Sequence, residues 1–398
     1  AEKCHFCAHR TEIGLAPACA VVCPTEAIIP GDFDDPESRV SQLRDGGGLE
    51  ARKPEAGTQP NVLYREVAEA GIDPSLTNLS SGFIWSQNPT GERLQVQAFE
   101  QAQAQDDLAR TVYDVPRERL WGSKITGYLF FKSISAGAFP VAFVAWLAAG
   151  SPDASQGMPA GLPAVVAMLG LLITSALLVA DLKRPSRFWM ILVRPNMKSW
   201  LARGTFVLAG YGALLSLWLL LGLMDVGSGV LRDGILGSVT VFLGIMAAAY
   251  TGWLFSQAKG RVLWMKRYYW LELACQALVA GGATLMCLQF VAQFEPEVLL
   301  WIRRITLLGL AGEGLLILSE GQRAPKNREA EYARVLSLLH KGPYSTMHHM
   351  LVACGVAAPI LVLIFAPGAA LIASLAILVC LWMREELFVR AGQALPIS

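Results

Sequence analysis

ITGYLFFKSISAGAFPVAFVAWLAA, residues 125–149, carries one charged side chain, Lys132, in 25 positions. A helix rises about 1.5 Å per residue and a bilayer's hydrocarbon core is about 30 Å thick, so this run reads as a membrane span. Comparable runs lie at about 162–180, 202–223, 235–257, 270–292, 299–319, 348–366 and 368–384, which makes eight expected spans. The last two are short and parted only by Ala366-Pro367-Gly368, so a re-entrant pair is the alternative there. Of the 398 residues 54% are hydrophobic and 16% charged, well below the share of about 25% charged in soluble domains. A net charge of +1 without a basic stripe implies no nucleic-acid partner.

An even number of spans leaves both ends on one side, together with connections 181–201, 258–269 and 320–347. Those connections hold fourteen Lys and Arg, whereas the opposite ones hold only Arg232. The positive-inside rule therefore expects the N-terminal head in the cytoplasm. No initiator methionine or export signal precedes the first cysteine, so the numbering is expected to begin inside a longer natural chain.

The head, residues 1–64, opens with Cys4, Cys7, Cys19 and Cys23 in the spacing C-x2-C-x11-C-x3-C-P. Residues 65–124 are Ala- and Gln-rich with turn signals at Asn88-Pro89 and Gly91, and read as an extended linker lying over another surface. The remaining cysteines, Cys275, Cys287, Cys354 and Cys380, fall in apolar runs and are expected to be buried and inert. Clustered cysteines admit zinc, disulfides or iron–sulfur. C-x3-C-P is the closing half of a bacterial ferredoxin run, whose last cysteine serves a different cluster. On that reading Cys4, Cys7 and Cys19 hold one [4Fe–4S] cluster and Cys23 is lent to a second, with further ligands upstream of Ala1. The fold class expected is an all-α polytopic membrane bundle of eight transmembrane helices over 125–398, with an N-terminal ferredoxin-like iron–sulfur segment.

Ionisable residues at membrane depth are costly and usually functional. Lys132 lies about seven residues, roughly 10 Å, into the first span; the alternative is that it snorkels to the interface. Asp181 closes the second span, Glu272 lies near the head-side end of the fifth, Glu313 is read as mid-span in the sixth, and Glu320 ends it. Asp181 and Glu320 also suit ordinary solvated helix ends, and Arg303 and Arg304 suit interfacial anchors. Reducing a quinone takes two electrons and two protons, hence an apolar slot, donors for the carbonyl oxygens and titratable groups near the electron source. Lys132, Asp181 and Glu272 are near the head-side ends of their spans, and Glu313 and Glu320 would continue a proton route. Bundle haem needs facing histidines. His5, His9, His340, His348 and His349 leave the first six spans empty of them, so no haem is expected.

Two family resemblances follow. KCHFCAHRTEIGLAPACAVVCPTEAIIPGDFDDPESRVSQL with GTQPNVLY at 57–64 resembles the C-terminal half of the multi-cluster iron–sulfur subunit of the dimethyl-sulfoxide-reductase superfamily. That resemblance implies a molybdopterin catalytic partner carrying molybdenum or tungsten, and further electron-transfer subunits. DLKRPSRFWMILVRPNMKSWLARG at 181–204, with Tyr250-Thr251-Gly252, resembles the NrfD family of polysulfide-reductase membrane subunits, which is haem-free and includes members that react with the quinone pool. KSISAG at 132–137 and ARTVYDVP at 109–116 resemble a branch in which both subunits are fused. The resemblance implies a quinone pocket at Tyr128, Lys132 and Ser135, with Asp181 and Arg184 in the second matched stretch. The arginines there have a structural alternative, capping helix carbonyls or binding lipid phosphates. The resulting expectation is a multi-pass protein of a bacterial inner membrane that passes electrons between [4Fe–4S] clusters and quinone. The alternatives are a redox-driven proton-translocating module that binds no quinone, and a structural anchor with an inactive cluster remnant.

Overall fold

The computed structural model describes residues 5–73, 76, 95, 96, 98, 99, 121–150, 161–182, 184–224 and 230–395. Cys4 and most of the linker stretch 65–124 lie outside them. The described head contains short helices α1 (Ala8–Thr11), α2 (Ala18–Val22), α3 (Arg39–Asp45) and α4 (Glu69–Ile72). Strand β1 (Leu49–Ala51) pairs antiparallel with β2 (Leu63–Arg65) in the register Leu49↔Arg65, Glu50↔Tyr64 and Ala51↔Leu63. Ser38 caps α3 by accepting from the Ser41 backbone N–H at 3.3 Å, which satisfies one of the free donors at that helix start. A complete ferredoxin-like topology is not visible among the described residues.

The membrane half follows as α5 (Ser123–Ala148), α6 (Leu162–Asp181), the single turn α7 (Met190–Val193), α8 (Trp200–Leu223), α9 (Gly237–Ser256), α10 (Tyr269–Ala292) and α11 (Pro296–Leu318). After these come α12 (Glu329–His340), α13 (Ser345–Val352), α14 (Ala358–Phe365) and α15 (Ala370–Ala391). A π-type turn, Ala353–Ala357, joins α13 to α14, so Ser345–Phe365 runs as one 21-residue span. In lipid each backbone polar group has to be satisfied within the protein, which favours helices; Pro140, inside α5, breaks the pattern because it has no N–H for the Ala136 carbonyl.

Helix α5 is the hub, packed by α6, α9, α10, α11 and α15. Its small side chains are the reason. A Cβ on Gly137 would stand 1.7 Å from the Ala277 carbonyl oxygen, and one on Gly281 would stand 2.2 Å from the Gly137 carbonyl carbon. Backbone therefore meets backbone where α5 crosses α10, the close approach that small residues permit between membrane helices. Outward faces are apolar instead: Leu172, Phe242, Leu308 and Phe365 are all exposed.

Seven described helical segments, not the expected eight, are long and apolar enough to cross a membrane. The expected sixth span does form a helix, α11, of 23 residues, but every 18-residue window in it contains at least three of Glu297, Arg303, Arg304 and Glu313. The last two spans are 21 and 25 residues long rather than short, because α15 continues to Ala391 instead of stopping near 384. Among the scattered cysteines only Cys380 is buried. Cys275 and Cys287 are half-buried and Cys354 is exposed on the outside of its span, where an apolar environment makes exposure inexpensive. From the linker stretch, Val96 is buried and Phe99 packs against the membrane-domain core.

Candidate functional site

Lys132 does not snorkel. It is 1% exposed, and its Nζ donates to the Ala248 carbonyl at 3.1 Å from inside the bundle. The ammonium lies 5.5 Å from the Tyr128 ring centre and 5.9 Å from that of Tyr250, a cation–π arrangement with two aromatic faces. The Tyr128 hydroxyl is within 2.5 Å of the Tyr250 hydroxyl and 2.8 Å of Thr251 Oγ1. Three hydroxyls and an amine from α5 and α9 thus converge at one depth. Gly204 on α8 makes room for the Tyr250 ring, since a Cβ there would come within 2.0 Å of it.

Glu385 on α15 faces the same interior and interacts electrostatically with Lys132. It is 2% exposed, and neither carboxylate oxygen has a hydrogen-bond partner among the described residues. The Gln276 Oε1 atom is likewise buried without one. Such groups are rare in native interiors and mark places where a ligand, water or proton is handled. The next residue, Arg384, bonds directly to Glu313 of α11. Glu313 is therefore paired, and it sits five residues from the head-side end of its helix rather than mid-span.

Glu272 and Glu320 belong to a second cluster at the head-side edge. The 3-10 turn Val262–Met265 delivers Lys266, whose Nζ lies 2.9 Å from Glu272 and 3.4 Å from Glu320. Arg323 Nη1 completes the set at 2.8 Å from Glu272. The two connections are laced together as well: the Arg267 N–H donates to the Arg323 carbonyl at 2.8 Å, and Arg323 Nε donates to the Arg267 carbonyl at 2.9 Å. Two cations balance two carboxylates, which is how buried charge is tolerated. His340 Nε2 lies 3.7 Å from the other Glu320 oxygen. Burial alone would raise the Glu320 pKa, but the charge of Lys266 and the contact with His340 bring it down to about 2. The nearby Glu320 carboxylate raises the pKa of His340.

The other expected residues are placed differently. The Ser135 hydroxyl donates to the Ala167 carbonyl at 2.7 Å, and the Ser135 carbonyl accepts from the Tyr211 hydroxyl at 2.8 Å, so this residue ties helices together. Asp181 is the half-buried last residue of α6, and Arg184 is exposed just beyond it.

The head docks onto the membrane half through the segment that holds Cys23. The Asn196 N–H donates to the Pro24 carbonyl at 2.8 Å, and its Nδ2 to the carbonyls of Cys23 at 2.7 Å and Ala20 at 3.3 Å. Ser199 Oγ donates to the Val22 carbonyl at 3.0 Å. Behind this loop, Trp200, Trp253 and Trp270 stack with ring centres 4.7 Å and 5.9 Å apart, linking α8, α9 and α10. Among the described residues Cys7, Cys19 and Cys23 form no disulfide with one another. Cys7 has a left-handed backbone (φ 53°) that turns the chain into α1, and the Ala27 N–H points at Cys23 Sγ at 3.1 Å. Unpaired thiols at a docking surface, one of them receiving an N–H···S bond, form a donor set that fits iron–sulfur ligation.

Apolar spans, a docked cysteine-bearing head and buried ionisable groups are the features of a multi-pass membrane protein. Residues 112–396 match the family described as Polysulphide reductase, NrfD, and the chain belongs to that family. Its N-terminal region is similar to iron–sulfur subunits. It is 56% identical over 63 residues to the arsenate respiratory reductase iron-sulfur subunit ArrB of Shewanella sp. (16% of this chain, 27% of that protein). Identity is 41% over 91 residues to the B subunit of tetrathionate reductase of Salmonella typhimurium (22% and 35%). It is 42% over 66 residues to the protein NrfC of Escherichia coli (16% and 29%). The chain thus spans between a quarter and two fifths of these relatives' lengths, which corrects the expectation that it carries half of such a subunit. Together the two similarities support a fusion of an iron–sulfur segment with an NrfD membrane domain.

Sequence reasoning missed Glu385, Arg384 and the pairing role of Lys266. The charged triplet Arg384-Glu385-Glu386 begins at the last residue of the final apolar run and continues past it, and Lys266 looks like one more loop cation.

Proposed function

We propose that this chain is the iron–sulfur and quinone-reactive membrane subunit of a molybdopterin oxidoreductase complex, passing electrons between [4Fe–4S] clusters and the quinone pool. The observation that carries the proposal is the docking of the Cys23 segment, through Asn196 and Ser199, onto the bundle that buries Lys132 and Tyr128. Cys4, Cys7 and Cys19 would hold one cluster, and Cys23 would be lent to a second. Bound there, the clusters supply one-electron carriers.

The rest of the chemistry belongs to the side chains. Tyr128, Tyr250 and Thr251 hold hydroxyl protons where a quinone carbonyl oxygen can accept them, and Lys132 supplies positive charge and a proton at Nζ. Glu385, whose oxygens have no hydrogen-bond partner among the described residues, is the carboxylate that can take up or return that proton. The apolar walls of α5, α9 and α10 exclude water and favour the ring. Asp181 and Arg184 would line the head-side mouth, and Ser135 would keep α5 against α6. Glu272 and Glu320 hold the head-side edge together.

In this reading residues 1–64 are a ferredoxin-like segment, 65–124 the linker and 125–398 an eight-helix domain. Helix α11 serves as the eighth span because Arg384 neutralises Glu313. The fourteen head-side cations favour a bacterial inner membrane with the head in the cytoplasm. The catalytic partner would carry molybdenum or tungsten, as the similarity to reductase subunits suggests.

The test uses the purified complex. Its substrate should reduce or oxidise a quinone analogue in a reaction stopped by a quinone-site inhibitor; turnover untouched by the inhibitor would refute the proposal. A second reading, proton translocation without quinone binding, is favoured by the buried Glu385 carboxylate, which has no hydrogen-bond partner among the described residues. In quinone-free proteoliposomes it predicts redox-driven proton movement, whereas the leading reading predicts none.

A further inference from the structure

Three elements bring Glu320, His340 and His348 together. Glu320 opens the 3-10 turn after α11, His340 ends α12 and His348 lies in α13. One ligand atom from each lies within 4.8 Å of the others. The proposed quinone site uses neither histidine.

We propose that Glu320, His340 and His348 form a binding site for a divalent transition-metal ion of the zinc class. Two imidazoles and one carboxylate suit zinc, and also cobalt or nickel, rather than magnesium or calcium, which take oxygen ligands. Three protein ligands leave the fourth tetrahedral position for water. Zinc bonds of about 2.0–2.1 Å hold tetrahedral ligands roughly 3.3 Å apart, so ligand atoms within 4.8 Å of one another have to close by about 1.5 Å at most.

The division of labour at Glu320 supports the site. One carboxylate oxygen is held by Lys266 at 3.4 Å, while the other faces His340 at 3.7 Å and is positioned to ligate. Lys266 is itself held by Glu272, and Arg323 binds Glu272 in turn, so the cations beside the site are already matched by carboxylates. Arg384 also acts electrostatically on His348 and, with Lys266, tempers the affinity. Glu320 is buried while His340 is exposed, which provides a polar floor and an entry path. His349 packs beside both histidines, with ring centres 6.1 Å from His340 and 5.6 Å from His348, but its Nδ1 is engaged with the Ser345 carbonyl at 2.7 Å. Occupied, the site would clip the turn after α11 to the α12–α13 connection.

Cobalt(II) titration of the full-length, cluster-loaded protein tests this. We expect one saturable set of d–d bands without thiolate charge transfer, displaced by zinc. His348→Ala should weaken cobalt binding by about tenfold or more, and His340→Ala/His348→Ala should abolish it, while His349→Ala retains it. His340 is exposed, so His340→Ala also provides a readout that should not disturb folding. Thiolate charge transfer would assign the metal to the cysteine head and overturn the proposal. Absence of saturable binding, or unchanged binding in the double variant, would overturn it equally.

Discussion

Glu313 and Arg384 give the sharpest test of how this bundle tolerates charge. Their side chains are 2% and 12% exposed, and they bond to each other across α11 and α15. Replacing one partner of such a pair strands the other without water, at a cost of about 3–5 kcal/mol. Glu313→Leu should fall near the lower end, because Arg384 also interacts with Glu272 and Glu385. Arg384→Met should fall near the upper end, since it strands a nearly inaccessible carboxylate. Replacing both with Leu and Met removes the stranded charge and should be close to neutral, or stabilising by about 1–4 kcal/mol. Unfolding in mixed micelles, followed by tryptophan fluorescence, reads these values as shifts of roughly 10²–10⁴ in the folded-to-unfolded ratio. The double-mutant cycle should give a coupling energy above about 2 kcal/mol. Single variants each costing under about 1 kcal/mol and adding without coupling would refute the pairing argument.

Three further outcomes follow from the packing and docking described above. Gly137→Ala should lower the yield of folded protein and cost at least about 1–3 kcal/mol, because the new Cβ meets the Ala277 carbonyl oxygen; wild-type yield and stability would argue against the close crossing. Asn196→Ala removes the side-chain donor to Cys23 and Ala20, and should slow electron delivery into the membrane half while leaving the iron content unchanged; an unchanged rate would mean the contact does not position the head. Cys23→Ala and Cys7→Ala should perturb different clusters in electron paramagnetic resonance spectra, and identical losses would contradict the shared-ligand scheme.

Where local chemistry decides, the sequence is legible. The apolar runs foretell the helices, because a membrane helix satisfies its own backbone and declares itself by length and composition. The four-cysteine spacing foretells the similarity of the N-terminal region to iron–sulfur subunits. Lys132 stands out because it is a lone cation in an apolar run. Its surroundings are not legible, since Tyr250 and Thr251 are 118 and 119 positions away in sequence and only folding brings them to Tyr128. Glu313 announces that it needs a partner without naming one. The partner, Arg384, lies where the hydropathy pattern has already ended the last span, although α15 keeps its helical turn seven residues further to Ala391. Glu385 and Phe388 share one helical face, and that spacing is the signal for the continuation. Lys266 looks like a topology marker because positive loops are common; only the fold of two connections against each other turns it inward. The histidines, which bear on haem when read from sequence, converge through a bend between α12 and α13 that no spacing rule encodes.

The central claim is that electrons held at the cysteine head reach a quinone beside Lys132. The most direct measurement is stopped-flow reoxidation of the pre-reduced clusters in the purified complex by a quinone analogue, comparing wild type with Lys132→Ala. The account predicts rapid reoxidation in wild type and a rate about tenfold or more lower in the variant, with unchanged iron content and cluster spectra. Equal rates in the two proteins would contradict it.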